Sequence, residues 1–94
     1  MLKVIHQGER LLEISGDATV YEADKLYAAL AGLRLASKGE IRIDLANLAA
    51  LDVAGAQILI AFRRHLGATR VSLNNFPAHI LDTVKLAGLD RHLR

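Results

Sequence analysis

The stretch Ile41-Arg42-Ile43-Asp44-Leu45-Ala46-Asn47-Leu48-Ala49-Ala50-Leu51-Asp52-Val53-Ala54-Gly55, followed at once by an apolar run to Leu66, decides the fold of this chain. Ile41, Ile43 and Leu45 alternate with polar Arg42 and Asp44, the period-two pattern of a strand with one buried face. A short loop follows. Asp52 then stands where a helix N-cap belongs, because its carboxylate can accept hydrogen bonds from the otherwise unpaired N–H groups of Ala54 or Gly55. From Ala56 to Phe62 only Gln57 is polar, so sheet, neighbouring helices or a partner must cover most of the helix circumference. Arg63, Arg64 and His65 close the helix and complement the negative end of its dipole.

Working outward, Leu2 to His6 and Leu11 to Ile14 are short β-type runs around Gln7-Gly8-Glu9, a hairpin with Gly8 in the turn conformation. Thr19 and Glu22 have the spacing of a capping box, and Ala23, Leu26, Tyr27, Leu30 and Leu33 recur at helical spacing behind it. This first helix is expected to reach about Ala36, where Ser37-Lys38-Gly39 ends it ahead of the strand from Ile41, which is expected to be central. Val71-Ser72-Leu73 is a further strand, reached by a crossover that should be right-handed. Pro77 opens the last helix, with Ile80, Leu81, Val84 and Ala87 as its buried stripe and Gly88 as its stop. The expected order is β-β-α-β-α-β-α: an α/β fold with a four-stranded mixed sheet, residues 1–94 forming a single domain.

Composition agrees with a folded domain. The chain has 94 residues, 52% hydrophobic and 23% charged, with one Pro, which argues against disorder. It has no Cys and so no disulfide framework. Met1 leads into Leu2-Lys3-Val4-Ile5 without the long apolar segment of a signal peptide or membrane span, so a cytoplasmic location without membrane insertion is expected. Lys plus Arg number 12 and Asp plus Glu 10, a net +2 that supports neither a nucleic-acid-binding stripe nor a polybasic membrane patch.

In that element order, Leu51-Asp52-Val53-Ala54-Gly55 stands in register with Gly16-Asp17-Ala18-Thr19 after the second strand, Asn74-Asn75 after the last strand, and the closing Leu86-Ala87-Gly88-Leu89. Together these resemble the STAS domain, the fold of bacterial anti-sigma factor antagonists, over nearly the whole chain. The resemblance implies a non-catalytic binding protein. Phosphorylated members of the family bind an ATP-dependent serine kinase of the anti-sigma type through the beginning of the second helix and adjoining loops, and the kinase releases its sigma factor. Carried over residue by residue, the partner-binding site would be Asp52, Val53, Ala54, Gly55 and Gln57. The Ala18 to Tyr21 turn, with Thr19 and Tyr21, and the Asn74 to Phe76 loop would lie beside it. Small Ala54 and Gly55 would allow close backbone approach by the partner.

In those members the residue after the Asp is usually a phosphorylatable Ser or Thr; here it is Val53. Without a hydroxyl it cannot carry a phosphate, whose charge of about −1.5 to −2 normally breaks the partner interface. Two readings of Val53 follow, a permanently binding-competent site or a decayed one in which Val53 is ordinary packing. The hydroxyls elsewhere are Ser15, Thr19, Ser37, Thr69, Ser72 and Thr83, of which Thr19 is best placed, with capping as its competing role. Other branches of the family supply further partners. Some STAS proteins are small subunits that bind the ATPase of a lipid-transport ABC system. Others belong to chemotaxis assemblies, and the run Leu51 to Leu59 is similar to the Asp-Thr-Ala-Gly-hydrophobic-Gln-Leu-Leu pattern of some of these.

An enzyme is the competing class, and little supports it. There is no Cys nucleophile, no Gly-rich phosphate loop and no Ser in a nucleophile elbow. His6, His65, His79 and His92 lack metal-ligand spacing, and Asp44 and Asp52 are better explained as loop solvation and N-cap than as an acid–base pair. No catalytic residue, cofactor or metal is expected. Self-association into a homodimer stays open, with Tyr27, Phe62 and Phe76 either beside an exposed apolar patch or covered by sheet and last helix.

Overall fold

A computed structural model describes residues 1–35, 38–67 and 69–86, except for the side chains of Thr83, Val84 and Leu86. The strands are β1 (Lys3–His6), β2 (Leu11–Ala18), β3 (Ile41–Asp44), β4 (Leu48–Leu51) and β5 (Val71–Asn74). The helices are α1 (Ala23–Ala31), α2 (Val53–Leu66) and α3 (Ala78–Leu86), and a 3-10 turn at Val20–Glu22 leads into α1. β1 and β2 form the expected antiparallel hairpin, Val4 opposite Ile14, with Gly8 at φ 137° and Gln7 N–H donating to the Leu11 carbonyl at 2.9 Å.

β2 is the spine of the sheet. Its eight residues outrun the four of each neighbour, so it pairs parallel with β3 over its first half, Leu12 opposite Ile43. Beyond a register shift at Gly16/Asp17 it pairs parallel with β4, Ala18 opposite Leu51. β3 lies between β2 and β5, parallel to both, an interior position as expected. Leu12, Ile14, Leu26, Ile43, Leu45 and Leu59 are fully buried, bringing sheet, α1 and α2 into one core. Each such side chain contributes roughly 1.5–3 kcal/mol of burial.

The structure departs from the sequence reading in four places, the first being that β2 runs on past Ile14 to Ala18, so Gly16-Asp17-Ala18 lie inside the strand and not after it. The sheet is five-stranded and not four-stranded, because Leu48–Leu51 is a strand. Its buried residues are Leu48 and Leu51, three apart around Ala49 and Ala50, so no alternation marks it; what makes it a strand is the unpaired second half of β2. The first helix ends at Gly32, short of Ala36, with Gly32 N–H bonded to the Ala28 carbonyl at 3.1 Å. Leu33 and Leu35 pack on the core outside the helix, so apolar spacing outlasts the helix itself. Ala36 and Ser37 lie outside the described residues. The capping box does not form either. Thr19 is extended at φ −123° and ψ 174°, makes no side-chain cap bond, and receives Glu22 N–H on its carbonyl at 3.0 Å.

Tyr27 is 67% exposed, leaving Leu26 and Leu30 to carry the buried stripe of α1, while Phe62 and Phe76 pack partly buried against the core. The Pro77 carbonyl accepts from Ile80 and Leu81 N–H at 3.0 Å, and Ile80 is buried. The side chain of Val84, and Ala87, Gly88 and Leu89, lie outside the described residues.

Candidate functional site

The site grows from the point where β2 and β4 end side by side and α2 begins. Asp52 is extended, at φ −118° and ψ −175°, and its N–H donates to the Ala18 carbonyl at 3.3 Å. Its Oδ1 accepts Gly55 N–H at 3.0 Å, the expected N-cap bond. Its Oδ2 accepts Val20 N–H at 2.8 Å. One carboxylate thus fastens the 3-10 turn to the first turn of α2. Burial on its own raises the Asp52 carboxyl, but the N–H groups of Gly55, Val20 and Ala54 together outweigh it and hold the group below the usual aspartate value. The carboxylate form is the one the fold selects.

Gly55 is buried at the same junction. A Cβ there would run into the Ala18 carbonyl oxygen and stand 3.1 Å from Leu51 Cδ1. The close approach that Gly55 permits in this structure is to this chain's own β2. Ala54 is half-buried and Gln57 exposed.

Around the fastened junction, apolar side chains face solvent. Val53 is 52% exposed, Val20 59% and Tyr21 93%. Val53 is therefore half exposed and not part of the buried core. Val20 enters the sequence reading only as part of the 18–21 turn; its place beside Val53 depends on a hydrogen bond across 32 residues, which no local pattern announces. Thr19 is partly exposed next to Val20. Nearby charges are engaged in pairs: the Met1 ammonium with Asp17 at 3.1 Å, and Lys25 with Glu22 at 3.3 Å.

The Asn74 to Phe76 loop turns on Asn75, at φ 63°, whose Nδ2 donates to Asp44 Oδ1 at 3.3 Å. Asp44 also accepts Ala46 N–H at 3.0 Å, so it works as a loop organiser and Asp52 as a cap. His79 Nε2 stands 2.9 Å from the Ala49 carbonyl, joining α3 to β4. Among the described residues no group of His, Asp or Glu could hold a metal ion.

Comparisons with known proteins agree with this architecture. A search of curated proteins finds no match. Among solved structures, the anti-sigma factor antagonist SpoIIAA in its unphosphorylated form is similar at a TM-score of 0.67 and 16% identity, over 100% of this chain and 86% of that one. At that identity the likeness shows the fold, an α/β domain with a mixed sheet. The family described as "Mlab, STAS domain" matches residues 2–94, and with a match of that extent the chain belongs to the STAS domain family.

Proposed function

We propose that this STAS domain is a non-catalytic, cytoplasmic protein-binding module whose partner docks on Val20, Tyr21, Val53 and Gln57, with Thr19 and Ala54 at the edge. The observation that supports it is the cluster of large, exposed apolar side chains, Val20, Tyr21 and Val53, gathered by one buttressing carboxylate at the start of α2. Clustered exposed apolar surface is stabilised by covering it, and such patches mark interfaces. Asp52 contributes by fixing the patch in place; its oxygens are occupied by backbone donors and it acts as a positioning residue.

A partner that grips Val53 faces a residue that cannot be phosphorylated, so the complex lacks the charge-driven release of a phosphorylated antagonist. The partner classes that the family resemblance carries are an anti-sigma-type serine kinase, the ATPase of an ABC transport system and a chemotaxis component. A lasting subunit contact, as with a transport ATPase, suits an interface of unchargeable apolar residues better than a cycle of release and rebinding does. Among the described residues no helix is long and apolar enough to cross a membrane.

The test is affinity capture from the native cell with the unmodified protein, Val53→Asp, Tyr21→Ala and, as a control on β1, Ile5→Asp. The expected outcome is an ATPase, kinase or chemotaxis component retained by the unmodified protein and the control and lost with the other two. Equal capture by all four proteins, or capture of none of these partners, sinks the proposal.

A further inference from the structure

The small net charge of +2 conceals a segregation that folding imposes. β2, β3 and β5 run parallel, and α1 and α2 run back between them, so strand starts and helix ends share one end of the domain, opposite Asp52. Arg10 precedes β2, Lys38 and Arg42 flank the start of β3, Arg70 precedes β5, Arg34 follows α1, and Arg64 lies in the last turn of α2. Arg10, Arg34, Lys38, Arg42 and Arg64 are exposed. Among the described residues the acidic ones there are Glu9 and Glu40, and Glu40 takes Arg42 Nε at 2.7 Å. Arg10 Nη1 donates instead to the Lys38 carbonyl at 2.6 Å, a neutral acceptor that fixes the guanidinium without cancelling its charge. The far end holds Asp17, Glu22, Asp24, Asp44 and Asp52 against Lys3, the Met1 ammonium paired with Asp17 and Lys25 paired with Glu22, which leaves it acidic on balance.

Helix ends alone do not account for this. The C-termini of α1 and α2 supply about half a negative charge each, which Arg34 and Arg64 more than offset, while Arg10, Lys38 and Arg42 belong to strand starts. We propose that this basic end docks on an anionic lipid surface. The cations issue from both the sheet layer and the helix layer, so they spread over an area and do not form a line, which suits a plane of headgroups better than a single run of phosphates. No exposed Phe, Tyr or Trp side chain accompanies them among the described residues at this end to stack on bases. The eight residues of β2 hold the acidic end roughly 20–25 Å away, several times the screening length of about 8 Å in physiological salt, so a planar anionic surface feels the basic end almost alone. Docked this way, the module would present its Val53 end away from the lipid. The inference does not depend on the partner proposed for that end.

The purified full chain would be floated with vesicles of phosphatidylcholine alone and with phosphatidylglycerol added, at low and physiological salt. Binding is expected only to the anionic vesicles, weakening steeply as salt rises. Combined Arg34→Glu, Lys38→Glu and Arg64→Glu should lower partitioning by at least ~100-fold, since each cation near an anionic surface contributes severalfold. Asp24→Lys and Val53→Asp should leave it intact, with circular dichroism checking every variant and the salt titration of the unmodified protein standing independently of them. Equal binding to neutral vesicles, no binding at low salt, or indifference to the charge reversals overturns the proposal. So does tighter binding to duplex DNA at the same salt, or low-salt self-association through this end in place of vesicle binding.

Discussion

The Asp52 carboxylate lies 2.8 Å from the backbone N–H of Val20, across 32 residues of sequence, while its other oxygen caps α2 at Gly55. This bond brings the turn that carries the exposed Val20 and Tyr21 to the start of α2, where Val53 is exposed, and so joins two segments that local sequence treats as unrelated. The same residue sets where α2 starts and what stands beside that start.

Replacing Asp52 with Ala should therefore cost more than an ordinary N-cap. An N-cap contributes about 1 kcal/mol, and leaving Val20 N–H without its acceptor adds a fraction of the penalty for an unmade hydrogen bond, for a loss of about 1.5–2.5 kcal/mol in urea unfolding. Asp52→Asn keeps one acceptor oxygen and turns a donor amide toward the second N–H, so it should fall between the two. A loss no larger than about 0.5 kcal/mol for Asp52→Ala would show that the Val20 bond is not held in solution.

The same bonds set a pH dependence. The folded-state value of Asp52 lies below its unfolded value of about 3.9, so the folded state prefers the carboxylate. Its stabilisation is fully present above the unfolded value and is lost as pH falls through the folded value. The stability gap between the unmodified protein and Asp52→Asn should be constant near neutrality and narrow below about pH 4. Urea unfolding of both proteins across that range measures it, and a gap that widens on acidification would reverse the sign assigned to the group.

Gly55→Ala puts helix propensity against packing. Propensity alone favours Ala over Gly within a helix by about 1 kcal/mol. The new Cβ, however, runs into the Ala18 carbonyl, a backbone group that cannot swing aside as a flexible side chain would. Packing should win, with a net loss of about 1–3 kcal/mol, as for other overfilled contacts. A stabilised Gly55→Ala protein would mean that α2 sits further from β2 than described.

How much of this was legible in the sequence varies with the range of the interactions. The Asp52 cap, the hairpin at Gly8 and the strand from Ile41 are local patterns, and each is found as read. β4 was hidden because its strand character comes from the free edge of β2 and not from alternation in Leu48–Leu51. Thr19 and Glu22 had capping-box spacing, yet the Asp52 carboxylate claims Val20 N–H and a 3-10 turn replaces the box. The exposure of Val53 and the basic end likewise follow from which elements share an end of the sheet, information that composition averages away.

Thr19→Ala tests that substitution of one cap for another. A true N-cap threonine costs about 1 kcal/mol to remove, whereas a hydroxyl with no cap bond should cost no more than about 0.5 kcal/mol. Thermal unfolding of Thr19→Ala beside Asp52→Ala should show a small shift against a large one. Comparable shifts would restore the capping box and displace Asp52 from its double role.

Val53→Asp closes the set because its stability decides what its binding result means. Val53 is half exposed at the first position of α2, so the substitution empties no core site, and a carboxylate in the first helical turn gains about 0.3–1 kcal/mol from the helix dipole. Repulsion from Asp52 next door offsets part of that gain. The net change should lie within about 0.5 kcal/mol of zero, while partner capture is lost, because an apolar contact cannot cover a fixed charge without desolvating it. Loss of capture at unchanged stability places the interface at Val53. Loss of both would trace the effect to folding, and Tyr21→Ala, which removes a ring 93% exposed and cannot disturb the core, would then carry the test.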